Sequence, residues 1–552
     1  PTLDQSVPAI GADVLHSHQP IDKGGNVLIG VVDSGIDYDH RDFLTSGNGS
    51  EENKSRILYI WDQTDTSGAG NTASVPYGML YSKSDIESDI MNNAGPDEGI
   101  VREKDTVGHG THVTGIAAGD GSSSGEGYVG VAPEASIVAT KTSFYTSSVI
   151  DAVDYIHEVA NDLGMPVVTN LSLGTQVGPH DGTSLFESTL NQLAGPDHVI
   201  VVSAGNSGDL RIHRGVMLSP GTTNSLRINV PDFTPSSEAT DYVQVNGFYG
   251  SSGNVEVKVE GPSGDQTGWV AKGEMREFEI GGTGVLISNG PSGINQDNEI
   301  YLRIGELQEA GAPSSGEWEI VIRTNQSADL DCWVSSVLLG GMYREVEFEA
   351  GDTSMTIAEP GNAAKVITVG SYNTKNSWNG ASVSGFPVGE LSSFSSRGPT
   401  RDGRAKPEIT APGAWVVSSL SGSSSPSSLY TVADGKHWAL AGTSMSAPHV
   451  AGAVALLWHA APELTGGEIK ERLQASATEV TNSSEGSLAW GAGKLDIQET
   501  IYSMGVPSVD IQEKLWVKAT PNPADQKVDF FFNFPQDAED VKIQIYNIVG
   551  KR

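Results

Sequence analysis

The stretch "VLIGVVD" at residues 27–33 is apolar almost throughout and ends on a carboxylate. A strand with one wet face alternates apolar and polar side chains. A continuous run instead suits a strand covered on both faces, as in a parallel sheet packed between helices. The residues that follow keep to that reading. "ASIVATKT" (135–142) is a further strand pattern, and "SSVIDAVDYIHEVANDLG" (147–164) sets Val149, Val153, Ile156 and Ala160 at helical spacing, with Gly164 as a stop. "PVVTNLSLG" (166–174), a helical "SLFESTLNQLAG" (184–195) and "HVIVVSAGN" (198–206) continue the alternation. Strand, helix, strand in this order implies right-handed crossovers and an α/β fold, a doubly wound parallel sheet with helices on both faces.

The rhythm breaks after residue 208. From 209 to 355 only short alternating segments occur, among them "VEVKVEGPSG" (255–264), "EIYLRI" (299–304), "EWEIVIRT" (317–324) and "REVEFEAG" (344–351). Short strands separated by Gly, Pro, Ser and Asn read as an inserted antiparallel β-sandwich. The apolar strand returns in "KVITVGSYN" (365–373), and "TGGEIKERLQASA" (465–477) carries a capping box in Thr465 and Glu468. The expected organisation is therefore a core in two parts, 1–208 and 356–505, an insert at 209–355, and a linker with the start of a C-terminal β module at 506–552.

The chain has 552 residues, and its 33 Lys and Arg against 69 Asp and Glu give a net charge of −36. That balance argues against nucleic acid or an anionic membrane as partner and favours cations at carboxylate-rich loops. No run approaches the roughly 18 consecutive apolar residues of a membrane span. The single cysteine, Cys332, allows no intrachain disulfide, and its place in "DLDCWVSSVLL" predicts a packed thiol. The start at Pro1, without Met or signal sequence, is uninformative about compartment.

Four residues stand where an open parallel sheet gathers its chemistry, beyond the carboxyl ends of strands. Asp33 ends "VLIGVVD" and Asn206 ends "VIVVSAGN". His109 lies between glycines in "VGHGTHVTGIAAG" (107–119), at the start of an apolar helix. Ser444, in "LAGTSMSAPHVAGAVALLWHAAPEL" (440–464), begins another. A serine hydroxyl needs a base to become a nucleophile. His109 is placed to take its proton, Asp33 to hold the imidazole tautomer, and the Asn206 side chain with the Ser444 amide to bind an oxyanion. Each residue alone also fits a bland reading as a cap or turn residue; the set of four is what points to a hydrolase.

These motifs resemble those of the subtilisin-like serine proteases. "VVDSGID" (31–37), "GHGTHVTG" (108–115) and "GTSMSAPHVAG" (442–452) look like the three catalytic signatures, and "SAGNSG" (203–208) like the oxyanion segment. "RILYIWDQTD" (56–65), "PYGMLYSKSDI" (76–86), "RIHRG" (211–215) and "PGNAAKVITVGSYN" (360–373) are similar to the clostridial germination-protease group, whose members carry an inserted jelly-roll domain. The terminal "PNPA…IQIYNIVGK" resembles the start of type IX secretion sorting domains of Bacteroidetes. The resemblance implies a secreted or cell-surface bacterial serine endopeptidase acting on protein or peptide through an acyl-enzyme on Ser444, with a propeptide in its precursor and no cofactor for catalysis. It implies a pocket for the residue before the scissile bond lined by Ser172, Leu173 and Gly174 and by Ser203, Ala204 and Gly205. No charge is added there, which favours a neutral side chain, and these backbones are expected to pair with an extended substrate. It further implies a structural calcium at Gln5 and Asp42, although the third contributor, "GDGSSSGEG" (119–127), departs from the family pattern. An alternative is a catalytically idle relative that binds peptides in the same groove, and the insert is read as a stability or positioning module in preference to a sugar-binding one. His112 and His449 are expected to pack beneath the site, His213 receives no role, and "GGTGVLISNG" (281–290) lacks the ending of a phosphate loop.

Overall fold

The computed structural model describes residues 5–16, 23–46, 52–67 and 77–504, apart from 126, 238–239, 294, 308–310, 379–380, 383–384 and 481–485. Beyond 504 it describes only the strands 517–520 and 529–532. The core is an eight-stranded sheet in the order Ile409–Ala414, Ile367–Asn373, His198–Ser203, Val167–Leu171, Leu28–Asp33, Ser136–Lys141, Ile57–Asp62, Met79–Ser82. All its pairings are parallel except that of the last strand. The strand opened by "VLIGVVD" sits centrally and is buried along its whole length, as its unbroken apolar run requires. From Leu28–Asp33 the chain runs to the outer strands Ile57–Asp62 and Met79–Ser82, returns to Ser136–Lys141 beside it, and then crosses to Val167–Leu171 on the other side. The carboxyl end of Leu28–Asp33 is thus a topological switch point, the crevice where open sheets hold their ligands.

Helices cover both faces. On one, His109–Ala118 and Thr443–Ala460 pack against the sheet and each other, their Val113, Ile116, Val450 and Val454 buried together. On the other lie Thr146–Leu163 and Leu185–Leu193. Val149, Val153, Ile156 and Ala160 face the sheet as their spacing demands, and Gly164 ends the helix at a left-handed φ of 64°. The Thr465–Glu468 capping box forms as read.

Between the two core segments, strands from His213 to Tyr343 form two antiparallel sheets. One has the order Thr223–Val230, Gly316–Thr324, Val255–Glu260, Val270–Ala271. The other runs Glu274–Ile280, Thr283–Pro291, Asn298–Gly305, Tyr242–Tyr249, Ala328–Leu339, with Met342–Tyr343 and His213–Leu218 both on Ala328–Leu339. Their inner faces share one apolar core that includes Trp318 and Cys332, so the thiol is packed and burial pushes its pKa up. The indole of Trp333 fastens this body to the core. It lies 4.2 Å from the ring of His180, nearly parallel, and its Nε1 donates to Met355 O at 2.8 Å. Arg401 of the core pairs both with Asp181 of the core and with Asp297 of the insert. His213, without a role in the sequence, is wedged between Asp352 (2.9 Å) and Asp331 (3.3 Å) where the chain enters the insert.

In the C-terminal segment, Val517–Thr520 pairs antiparallel with Asp529–Phe532. The rest of the expected sorting module lies outside the described residues. Among the described residues no helix is long and apolar enough to cross a membrane.

Candidate active site

Asp33 emerges at the carboxyl end of the central strand, and His109 opens the helix His109–Ala118. The Asp33 carboxylate is buried, and its Oδ1 accepts from Ser34 N and from His109 Nδ1, both at 2.7 Å. Nδ1 therefore carries a proton and Nε2 is left to act as a base. The glycines around His109 allow the close approach. A Cβ on Gly110 would lie 2.1 Å from Gly35 O, and Gly108 has a φ of 83°.

Behind the pair is a second carboxylate that the sequence reading missed. Asp105, fully buried, accepts from Ser34 Oγ (2.8 Å) and Gly108 N (2.8 Å) on one oxygen and from Thr111 N (2.8 Å) and Thr111 Oγ1 (2.7 Å) on the other. Ser34 Oγ in turn accepts from Gly110 N at 2.9 Å. One side chain thereby ties the strand end to the helix start. The available signal was an acid placed four residues before His109, ahead of a helix, where unpaired amides need an acceptor. The His109 ring is about a quarter exposed. Burial opposes its charged form, but the charge and hydrogen bond of Asp33, with Asp105 behind, outweigh it and raise its pKa above the ordinary value.

Ser444 is the second residue of the helix Thr443–Ala460. Pro448, four residues on, has no N–H for the Ser444 carbonyl. That oxygen accepts from Ser172 Oγ at 2.8 Å, while Ser444 Oγ donates to Ser172 O at 3.2 Å. His109 Nε2 makes no hydrogen bond among the described residues. Asn206 faces solvent, and its Oδ1 accepts from Thr443 N (2.9 Å) and Thr443 Oγ1 (3.0 Å). Pinning the oxygen fixes where the amide nitrogen points. A Cβ on Gly442 would lie 3.3 Å from Asn206 Nδ2 and 3.8 Å from Ser444 N, so both donors border one small space kept open by the absent side chain.

Ser172 is bonded to Ser444, Leu173 is half-buried and Gly174 is exposed. Ser203 and Ala204 are buried beside them. The expectation that both segments pair with an extended substrate is corrected for the second. Ala204 O already accepts from Ala358 N at 2.9 Å and Gly205 O from Ser396 N at 3.0 Å, so these backbones can only form a wall. His112 and His449 are fully buried with pKa values lowered by burial to about 3 and about 4. Both are neutral packing groups.

The calcium expectation does not fit. Asp42 is buried and its oxygens are taken by four internal donors, while Gln5 is exposed and makes no bond to it among the described residues. The expected ligands are not brought together.

With this geometry in view, comparison with known proteins is informative. A profile described as the subtilase family matches residues 24–267 and 344–493. The chain is 34% identical over 154 residues to the serine protease AprX of Bacillus subtilis, covering 28% of this chain and 33% of that one. It is 25% identical over 517 residues to the minor extracellular protease Vpr of the same organism, covering 91% and 54%. The chain thus spans about a third and about half of the lengths of these two relatives. Among solved structures, the CspB protease of Clostridium perfringens superposes with a TM-score of 0.73 at 26% identity, covering 90% of this chain and 96% of that one. The profile covers both core segments and leaves out 268–343 within the insert, the superposition covers 90% of the chain, and on that ground the chain belongs to the subtilase family.

Proposed function

We propose that this chain is a serine endopeptidase in which Asp33, His109 and Ser444 form the catalytic triad and Asn206 the oxyanion donor. The observation that carries the reading is the 2.7 Å bond from His109 Nδ1 to a buried carboxylate, which leaves Nε2 as the unprotonated base. His109 Nε2 takes the Ser444 proton as Oγ attacks the scissile carbonyl carbon. The oxyanion forms in the space bordered by Asn206 Nδ2 and Ser444 N, at the start of a helix whose amides favour negative charge. Collapse breaks the C–N bond, with His109 returning the proton to the leaving amine, and water then hydrolyses the acyl-enzyme by the same route.

In the resting arrangement the Ser444 hydroxyl donates to Ser172 O. Binding of substrate must redirect that proton to His109, a tightening common between free and occupied sites. The same observation favours the second reading, a peptide-binding groove with an idle serine. Labelling with a fluorophosphonate separates the two. Adduct on Ser444 that vanishes in Ser444→Ala and falls in His109→Ala supports the peptidase. A folded protein that takes no label and cuts no casein supports the binder.

The substrate is a protein or peptide whose extended strand lies along 172–174, with a neutral side chain before the scissile bond. A secreted or cell-surface location is supported by the net charge of −36 and by the relative named as an extracellular protease.

A further inference from the structure

We propose that the side chain of His437 fills the place beside Asp42 where a structural calcium would sit, so that this position binds no metal. The mismatch between Asp42 and calcium is one of donors against acceptors. Calcium takes six to eight oxygen ligands at ~2.3–2.6 Å, each lending a lone pair. Around Asp42 the neighbours offer hydrogens. Ser123 N (2.9 Å) and Ser123 Oγ (2.6 Å) donate to Oδ1, and Ser419 Oγ (2.9 Å) and His437 Nε2 (3.0 Å) to Oδ2.

The loop that departs from the family pattern explains the change. Its residues Ser122–Ser124 form a short 3-10 turn that presents an amide and a hydroxyl to the carboxylate. Its Gly121 carbonyl is turned inward, accepting from Ser124 N and Ser124 Oγ. Such a turn presents hydrogens, not lone pairs, to the Asp42 carboxylate.

The remaining neighbour comes from the far end of the core. His437 is fully buried, and its Nδ1 faces Asp434 Oδ2 at 2.7 Å while Nε2 faces Asp42. An imidazole between two carboxylates serves both only with hydrogens on both nitrogens. The neighbouring His40 cannot take this part. Its Nδ1 accepts from Asp42 N at 3.3 Å, and its Nε2 meets the Lys436 carbonyl at 3.0 Å, a neutral tautomer. Tyr128 closes the pocket, its ring 4.6 Å from that of His437. His437 also opens the strand His437–Leu440, which leads directly to Gly442 and Ser444. His437 therefore anchors the approach to Ser444.

The test uses the full chain and two probes. Melting temperatures of the wild type and of Asp42→Asn are compared in EDTA and in millimolar calcium, so that a contribution from calcium elsewhere cancels. An equal calcium increment in the two proteins is expected. An increment present in the wild type and lost in Asp42→Asn overturns the proposal. Should Asp42→Asn fail to fold, terbium luminescence of the wild type and Tyr128→Phe replaces it, because a lanthanide at Asp42 would draw its excitation from this adjacent tyrosine. Equal emission supports the proposal, and loss of emission in Tyr128→Phe overturns it.

Discussion

The hydroxyls of Ser172 and Ser444 each donate to the other residue's carbonyl oxygen, at 2.8 and 3.2 Å. The exchange exists because Pro448 leaves the Ser444 carbonyl without its helical partner. Ser172→Ala strips that oxygen of its donor. The expected outcome is a loss of ~1–3 kcal/mol in stability, the usual cost of an unsatisfied polar group, with fluorophosphonate labelling of Ser444 retained. Chemical denaturation and active-site titration check the two halves.

Asn206→Leu removes the proposed oxyanion donor, and with it the oxygen that holds Thr443. Turnover is expected to fall by about 10²–10³ with little change in KM, since the donor acts on the transition state. Steady-state kinetics on a peptide substrate decide it. An unchanged kcat would remove Asn206 from the site.

The raised pKa of His109 sets the acid limb of the activity profile. The base works only when neutral, and a raised pKa keeps the ring protonated to higher pH. The rise of kcat/KM with pH is therefore expected above the ordinary value of about 6.5. In Asp33→Asn the raising charge is gone and burial remains, so the limb moves down while kcat drops by about 10⁴.

His213 predicts a different pH effect. Burial lowers its pKa, but hydrogen bonds to Asp331 and Asp352 raise it on balance. A raised folded-state pKa stabilises fully below the unfolded value and is lost as pH rises through the folded one. The melting temperature is expected to decline through that interval, and His213→Gln to flatten the decline.

Trp333 is fully buried and stacked on His180. Trp333→Ala is expected to cost about 3–5 kcal/mol. Limited proteolysis should then release the insert from the core sooner than in the wild type.

Much of this was legible in the sequence because periodicity and strand ends are local. Asp33, Val149 and Gly164 could be placed from their neighbours alone, and the family motifs marked His109, Asn206 and Ser444. What escaped depends on distant partners. Asp42 looked like a calcium ligand because nothing near it in sequence announces His437. Three of the Asp105 bonds are local, to Gly108 and Thr111, but its tie to Ser34, 71 residues away, is made only by the fold. Trp333 and His180 meet across the insert boundary, where neither segment's pattern carries information about the other.

Asp33 and His109 lie 76 residues apart in the first core segment, whereas Ser444 follows Ser172 by 272 residues and is reached only after the insert. During synthesis the segment carrying the proposed acid and base emerges before the proposed nucleophile. On the proposed reading the growing chain has no means of cutting until the intervening β body has been made, an ordering in time that follows from the split of the core.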